Sequence, residues 1–134
     1  MKLSSKTITA IKLFIDLGEH YNDGYSNLLD ISKRKDVSKK FLEQIIPLYR
    51  NSNLLTVTRG NQGGYRLNKK ASEISLKDII YVTESDLNKS NTVDPTINYF
   101  IDEVDKLLDN YFSSITLDKL VEKEIESYSM NYFI

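Results

Sequence analysis

Arg59-Gly60-Asn61-Gln62-Gly63-Gly64-Tyr65-Arg66-Leu67 is the stretch that decides how the rest of this sequence is read. It follows the strand-like run Leu54-Leu55-Thr56-Val57-Thr58, ends in a second such run, and holds three of the five glycines. Glycine reaches positive φ without steric cost, so a cluster of it between two strand-like runs predicts a β-hairpin with a mobile glycine tip. A nucleotide-binding loop also clusters glycine, but it ends in Gly-Lys-Ser/Thr and opens a helix at once. Neither feature is present. Upstream, the pattern predicts a helix, a short turn and a second helix with a basic, polar outer face. A helix-turn-helix followed by a hairpin is the order of a winged helix-turn-helix.

In the upstream half, Ile8, Ile11, Phe14, Ile15 and Leu17 or Gly18 recur near helical spacing between Ser5 and Tyr21, with Leu13 a weaker match and Ser4 or Ser5 placed as N-cap. Asn22-Asp23-Gly24 ends this first helix. Its last turn carries His20, the only histidine, where a solvated residue facing the helix dipole is the ordinary reading. A second helix is predicted from Ser26 to Lys35, with Leu28, Leu29 and Ile31 inward. Lys33, Arg34 and Lys35 sit at its cation-preferring end. After the turn at Asp36-Val37, a third helix is expected from Ser38, its N-cap, to about Ser52. Phe41, Leu42, Ile45, Leu48 and Tyr49 form its apolar face, and Lys39, Lys40, Glu43 and Gln44 the polar one. Pro47 falls within it and predicts a kink or a loosened turn after Glu43.

That polar face has the chemistry of duplex recognition. Lysines reach phosphates or guanine edges, Gln pairs with adenine, and Glu accepts from the cytosine amino group. Ser38, Lys39, Lys40, Glu43 and Gln44, with Lys6 from the first helix, form one half of the expected DNA-binding set. The hairpin tip, Arg59, Gly60, Asn61, Gln62 and Gly63, forms the other.

Downstream of the hairpin, Ser75 is placed to cap a short helix from Leu76 to about Thr83. Glu84 to Asp94 is polar and weakly patterned and reads as a linker or mobile loop. Pro95 opens a long helix to about Ser114, with Ile97, Phe100, Ile101, Val104, Leu107, Leu108, Tyr111 and Phe112 at spacings of three and four. The stripe is wide for one small domain to cover, so two copies packing it together are expected, with a short helix beginning at Thr116 closing the sides. The organisation read here is a winged helix-turn-helix over 1–83, a linker over 84–94 and a helical dimerisation region over 95–134. The fold class is mainly α with a small β-hairpin.

Charge follows this division. Residues 1–70 carry 13 Lys+Arg against 6 Asp+Glu, net +7, and residues 71–134 carry 5 against 13, net −8. A basic half suits a polyanion, and an acidic half must sit away from one. Zero cysteines excludes disulfides, thiolate-held clusters, zinc fingers and cysteine nucleophiles. No nucleophile and base pair, metal cluster or nucleotide loop can be assembled, so no enzyme and no cofactor is expected. No run is apolar enough for a membrane span and the start lacks a signal peptide's apolar core, which predicts a cytoplasmic protein.

With these elements placed, the chain resembles the Rrf-two family of bacterial transcription regulators. The resemblance rests on Met1-Lys2-Leu3-Ser4-Ser5-Lys6, Phe41-Leu42-Glu43-Gln44-Ile45, Arg59-Gly60 with Gly63-Gly64-Tyr65-Arg66-Leu67, Ile74-Ser75-Leu76-Lys77-Asp78-Ile79 and Ile115-Thr116-Leu117-Asp118-Lys119-Leu120, in order and at near-family spacing. It implies a homodimer on a palindromic operator, with helix three in the major groove and the wing in the minor groove. Glu43 and its neighbours would read bases, and Arg59 would enter the minor groove. Many members hold an iron-sulfur cluster on three cysteines at or just beyond the segment matching Glu84 to Asp94. With none here, the chain is similar to the cluster-free branch, whose effector, a ligand or a partner protein, is left open. The expected function is a dimeric, sequence-specific DNA-binding regulator, a repressor. The rival reading is a winged-helix protein-interaction module without specific DNA binding.

Overall fold

The computed structural model describes residues 1–61, 63–84 and 92–132. Its first helix, α1 (Ser5–Glu19), opens where the Ser4 hydroxyl accepts from the Thr7 amide. Ala10, Leu13, Phe14 and Leu17 are buried along it, whereas Ile8 is 44% exposed. The inward face is therefore centred on Leu13 and Phe14 rather than on the isoleucines. A 3-10 turn at Tyr21–Asp23 follows, and His20 caps the helix with its ring 2.9 Å from Asp23.

The second helix, α2 (Leu28–Lys35), starts two residues later than the sequence predicts. Ser26 is held in an antiparallel bridge to Tyr65, and the cap passes to Asn27, which accepts from the Asp30 amide at 2.9 Å. Ile31 is fully buried, but Leu29 is 50% exposed and does not point inward as expected. Asp36 takes the left-handed conformation at the turn, φ 52°.

Helix α3 (Lys39–Ile45) is capped by Ser38, which accepts from the Phe41 amide at 3.0 Å. It does not continue to Ser52. Pro47 has no N–H to donate one turn back, and the chain passes instead into a 3-10 turn over Ile46–Tyr49. The tighter winding turns Leu48 out, 45% exposed, against the expectation that it packs inward. Tyr49 stays buried, edge-on to Phe14 at 4.9 Å, and its hydroxyl donates to the Ile79 carbonyl at 2.7 Å. Burial pushes this phenol up to about 12.

The wing is β1 (Leu55–Thr58) paired antiparallel with β2 (Gly64–Leu67), with Val57 opposite Tyr65 and Thr58 opposite Gly64. After a 3-10 turn at Ala71–Glu73, helix α4 (Leu76–Thr83) opens on a reciprocal capping box between Ser75 and Asp78. At its far end the Glu84 carboxylate accepts from the Ser4 amide at 2.6 Å and the Thr7 hydroxyl at 2.8 Å. The Ser4 bond holds that carboxyl below the usual carboxylate range. Residues 85–91 of the expected linker lie outside the described residues.

Helix α5 (Pro95–Ser114) has the predicted bounds, and Asp94 accepts from the Thr96 and Ile97 amides at its start. Helix α6 (Leu117–Tyr132) is longer than expected and is not a side-closing appendage, because its inner face packs on α1 of the same chain. A Cβ on Gly18 would come 2.8 Å from the Val121 side chain, so the two helices approach over a bare backbone. Lys35 from the end of α2 joins this seam, donating to Glu19 at 2.7 Å, Glu124 at 3.3 Å and the Tyr128 hydroxyl at 3.1 Å. Burial opposes its charge, but these hydrogen bonds outweigh burial and raise its pKa above the ordinary lysine value. Phe112 and Leu117 belong to the same core as Leu13, Phe14, Leu42 and Tyr49. Among the described residues, no helix is long and apolar enough to cross a membrane.

Candidate nucleic-acid interface

A concave surface of about 1240 Å³ opens between the start of α2, the outer face of α3 with its 3-10 extension, and the wing. Of the expected DNA-binding residues, Lys39, Glu43, Arg59, Gly60 and Gly63 line it. The fold thus brings together two groups that are fifteen or more residues apart in sequence. Ser38 is spent on capping α3. Lys6, Lys40, Gln44 and Asn61 are exposed beside or beyond the hollow and do not line it, and Gln62 lies outside the described residues.

The sequence reading passed over several lining residues. Arg50 is the clearest, an exposed cation seven positions after Glu43 and so near the same helical face, a spacing that could have revealed it. Leu29 and Val57, 50% and 55% exposed, add apolar edges to the hollow, which explains why Leu29 does not pack inward. Asn27 and Tyr65 complete the junction of α2 with the wing. No local pattern in the sequence points to them.

Charge around the hollow is positive, with Lys39, Arg50 and Arg59 against the single carboxylate of Glu43. The Lys39 ammonium lies 3.9 Å from Glu43, with 56% and 53% of the two side chains exposed. A pair so long and so solvated contributes little, so both groups are free to engage another partner. Pockets for small molecules are mostly apolar and enclose roughly 300–1,000 Å³. This surface is larger, and three cations on it suit a polyanion.

The glycine tip follows from a positive φ at Gly60 and close packing at Gly63. Gly60 has φ 107°, and the Gly63 amide donates to the Gly60 carbonyl at 3.0 Å to close the turn. A Cβ at Gly63 would lie 2.6 Å from the Thr58 carbonyl oxygen, so this position admits glycine alone without a backbone shift. Arg59 precedes this turn and shares the concave surface with Lys39 and Glu43.

Along α5, the predicted dimer residues divide. Ile97, Phe100, Val104, Leu107 and Tyr111 are 47%, 65%, 38%, 70% and 59% exposed, and Ile101 is half-buried. Phe112, only 5% exposed, stacks edge-on with Tyr81 in the core, and Leu108 packs against that core. These two therefore serve their own chain's interior, while the others form an uncovered apolar face.

A helix-turn-helix whose last helix adjoins a two-stranded wing defines the fold class, a winged helix-turn-helix. The Rrf2 (Rrf-two) family, described as iron-dependent transcriptional regulator, matches residues 3–123, and the chain belongs to it. The regulator IscR of Pectobacterium carotovorum is 30% identical, over 92% of this chain and 81% of that protein. Among solved structures, CymR, the global cysteine regulator of B. subtilis, superposes with a TM-score of 0.82 at 25% identity, over 92% of this chain and 98% of its own. IscR of T. potens does so with a TM-score of 0.80 at 30% identity, over 95% and 90%. The iron in the family's description does not fit this donor set. The sequence has no cysteine and one histidine, and that histidine is engaged with Asp23. No group of three or more candidate ligands that could hold a metal ion occurs among the described residues.

Proposed function

We propose that the protein is a homodimeric repressor that binds a palindromic operator, with α3 in the major groove and the wing in the adjacent minor groove. The observation that carries this reading is the convergence of Lys39, Glu43, Arg50 and Arg59 on one concave surface between α3 and the wing. The uncovered stripe on α5 supplies the second element, because two half-sites bound together gain affinity through their linkage. Lys6, Lys40, Gln44 and Asn61 are assigned to flanking phosphate and base contacts.

Selection of bound duplexes from a randomised pool tests it. The expected result is an inverted repeat with one clear half-site. A pool that returned no preferred sequence would overturn the reading. Within that assay Glu43→Ala should relax preference at one base-pair position per half-site, a discrimination of roughly 1 to 3 kcal/mol. Unchanged preference at every position would remove Glu43 from base readout.

Arg59 is assigned to the minor groove, where narrow A·T-rich segments concentrate negative potential. Arg59→Ala should therefore weaken binding more on operators with A·T-rich flanks than on G·C-rich ones. Equal losses would reduce Arg59 to a phosphate contact.

A further inference from the structure

A two-stranded hairpin is marginal by itself, and a wing must be held at a fixed distance from the helix it works beside. Ser26 is what β2 leans on. Its amide donates to the Tyr65 carbonyl at 2.9 Å and its carbonyl accepts from the Tyr65 amide at 2.8 Å. Gly64 lies so close that an added Cβ would collide with the Ser26 carbonyl oxygen. From the next position of β2, the Arg66 guanidinium lies over the rings of Tyr21 and Tyr25, at 5.3 and 5.7 Å, and donates to the Tyr21 carbonyl at 3.2 Å. The loop between α1 and α2 is thus the seat of the wing.

That seat is fixed by a buried charge. The Asp16 side chain is fully buried on α1, and Arg34 from α2 meets it with two parallel bonds, Nε to Oδ1 at 2.9 Å and Nη2 to Oδ2 at 2.8 Å. Nη2 has a second hydrogen, and it goes to the Ser26 hydroxyl at 2.9 Å. One guanidinium therefore ties α1, α2 and the wing's seat together. Its hydrogen bond to the carboxylate raises the arginine pKa further, so its charge is permanent. The planar fork matters, since a lysine ammonium is a point charge and cannot repeat the bidentate geometry.

We infer that Arg34 and Ser26 are positioning residues for operator binding, setting the wing against α3 through the Asp16–Arg34–Ser26 triad without themselves touching DNA. Ser26 is 7% exposed, three of the five polar hydrogens of Arg34 are taken by Asp16 and Ser26, and neither residue lines the concave surface. The inference rests on the reading under Proposed function. Because α2 leads through one short turn into α3, holding the seat to α2 holds Arg59 at a set distance from Glu43.

The test is a double-mutant cycle in the full chain, on the selected duplex with A·T-rich flanks. Ser26→Ala removes one hydrogen bond and leaves the Asp16–Arg34 pair intact, so folding should be retained. It should weaken binding about 3- to 10-fold, the net range of one ordinary intramolecular hydrogen bond. In an Arg59→Ala background the same change should cost about half as much or less, because the principal wing contact it positions is already gone and only that of Asn61 remains. Arg34→Lys should behave alike, with a larger single effect. An independent readout needs no DNA: the Tyr65 amide should exchange hydrogen faster in Ser26→Ala while the Tyr49 region is unchanged. Equal losses with and without Arg59, or no loss with Tyr65 exchange unaltered, would overturn the inference. If the unaltered protein selects no duplex, the functional reading falls with it, an outcome visible before any variant is made.

Discussion

Replacing Leu107 with Asp should convert the protein from a dimer to a monomer and cost at least about 100-fold in operator affinity, the scale on which linked sites gain over single ones. Leu107 is 70% exposed in the middle of the α5 stripe, so the single chain loses nothing by the change. A carboxylate buried between two apolar stripes would be unpaired and strongly unfavourable. Light scattering should give twice the chain mass of 15.5 kDa for the parent and that mass for the variant, with unchanged helical circular dichroism. A parent that is already monomeric at micromolar concentration would end the dimer proposal. Cutting the chain before α5 would be a poorer test, because it strips Phe112 and Leu117 from the core.

Phe112→Ala should destabilise the fold by about 3 to 5 kcal/mol, the usual cost of emptying a buried phenylalanine site. Tyr81 loses its edge-on partner at 6.2 Å, and the core loses a ring that bridges α4 and α5. Denaturant unfolding should show one transition shifted as a whole. If instead only a minor transition moved, and the winged part unfolded at its original midpoint, then α5 and α6 would be an independent unit. A pairing of Phe112→Ala with Leu107→Asp separates the two roles of one helix: the first acts on stability, the second on assembly.

How much of this was legible depended on whether the signal was local. Ser75 with Asp78, Ser38 before Lys39, and Pro95 after Asp94 are caps written within a few residues, and all three open helices where expected. The glycine tip was legible because the constraint, a crowded turn, is confined to five residues. What could not be read were partners far apart in sequence. Asp16 gave no hint of Arg34, nor Lys35 of Glu124, since each looks like an ordinary surface charge until the fold buries it. Periodicity also misplaced Leu29 and Leu48, apolar residues that stand at the surface. Of the candidate site, α3 and the wing were each visible, but their joint surface with Arg50, Leu29 and Val57 was not, because it exists only once Ser26 seats β2.

The seam between α1 and α6 sets an order in time. Gly18 and Val121 touch across roughly 100 residues of chain, a separation that slows the closing of such contacts. At about 5 to 20 residues synthesised per second, α1 waits some 5 to 20 s before α6 exists to cover it. During that interval the wing and the recognition helix are already made, yet Leu17 and the Gly18 backbone stand open to water. The parts proposed to meet DNA are therefore complete as sequence well before the core that holds them is, and nascent chains stalled short of residue 117 should be sticky, protease-sensitive and unable to hold an operator.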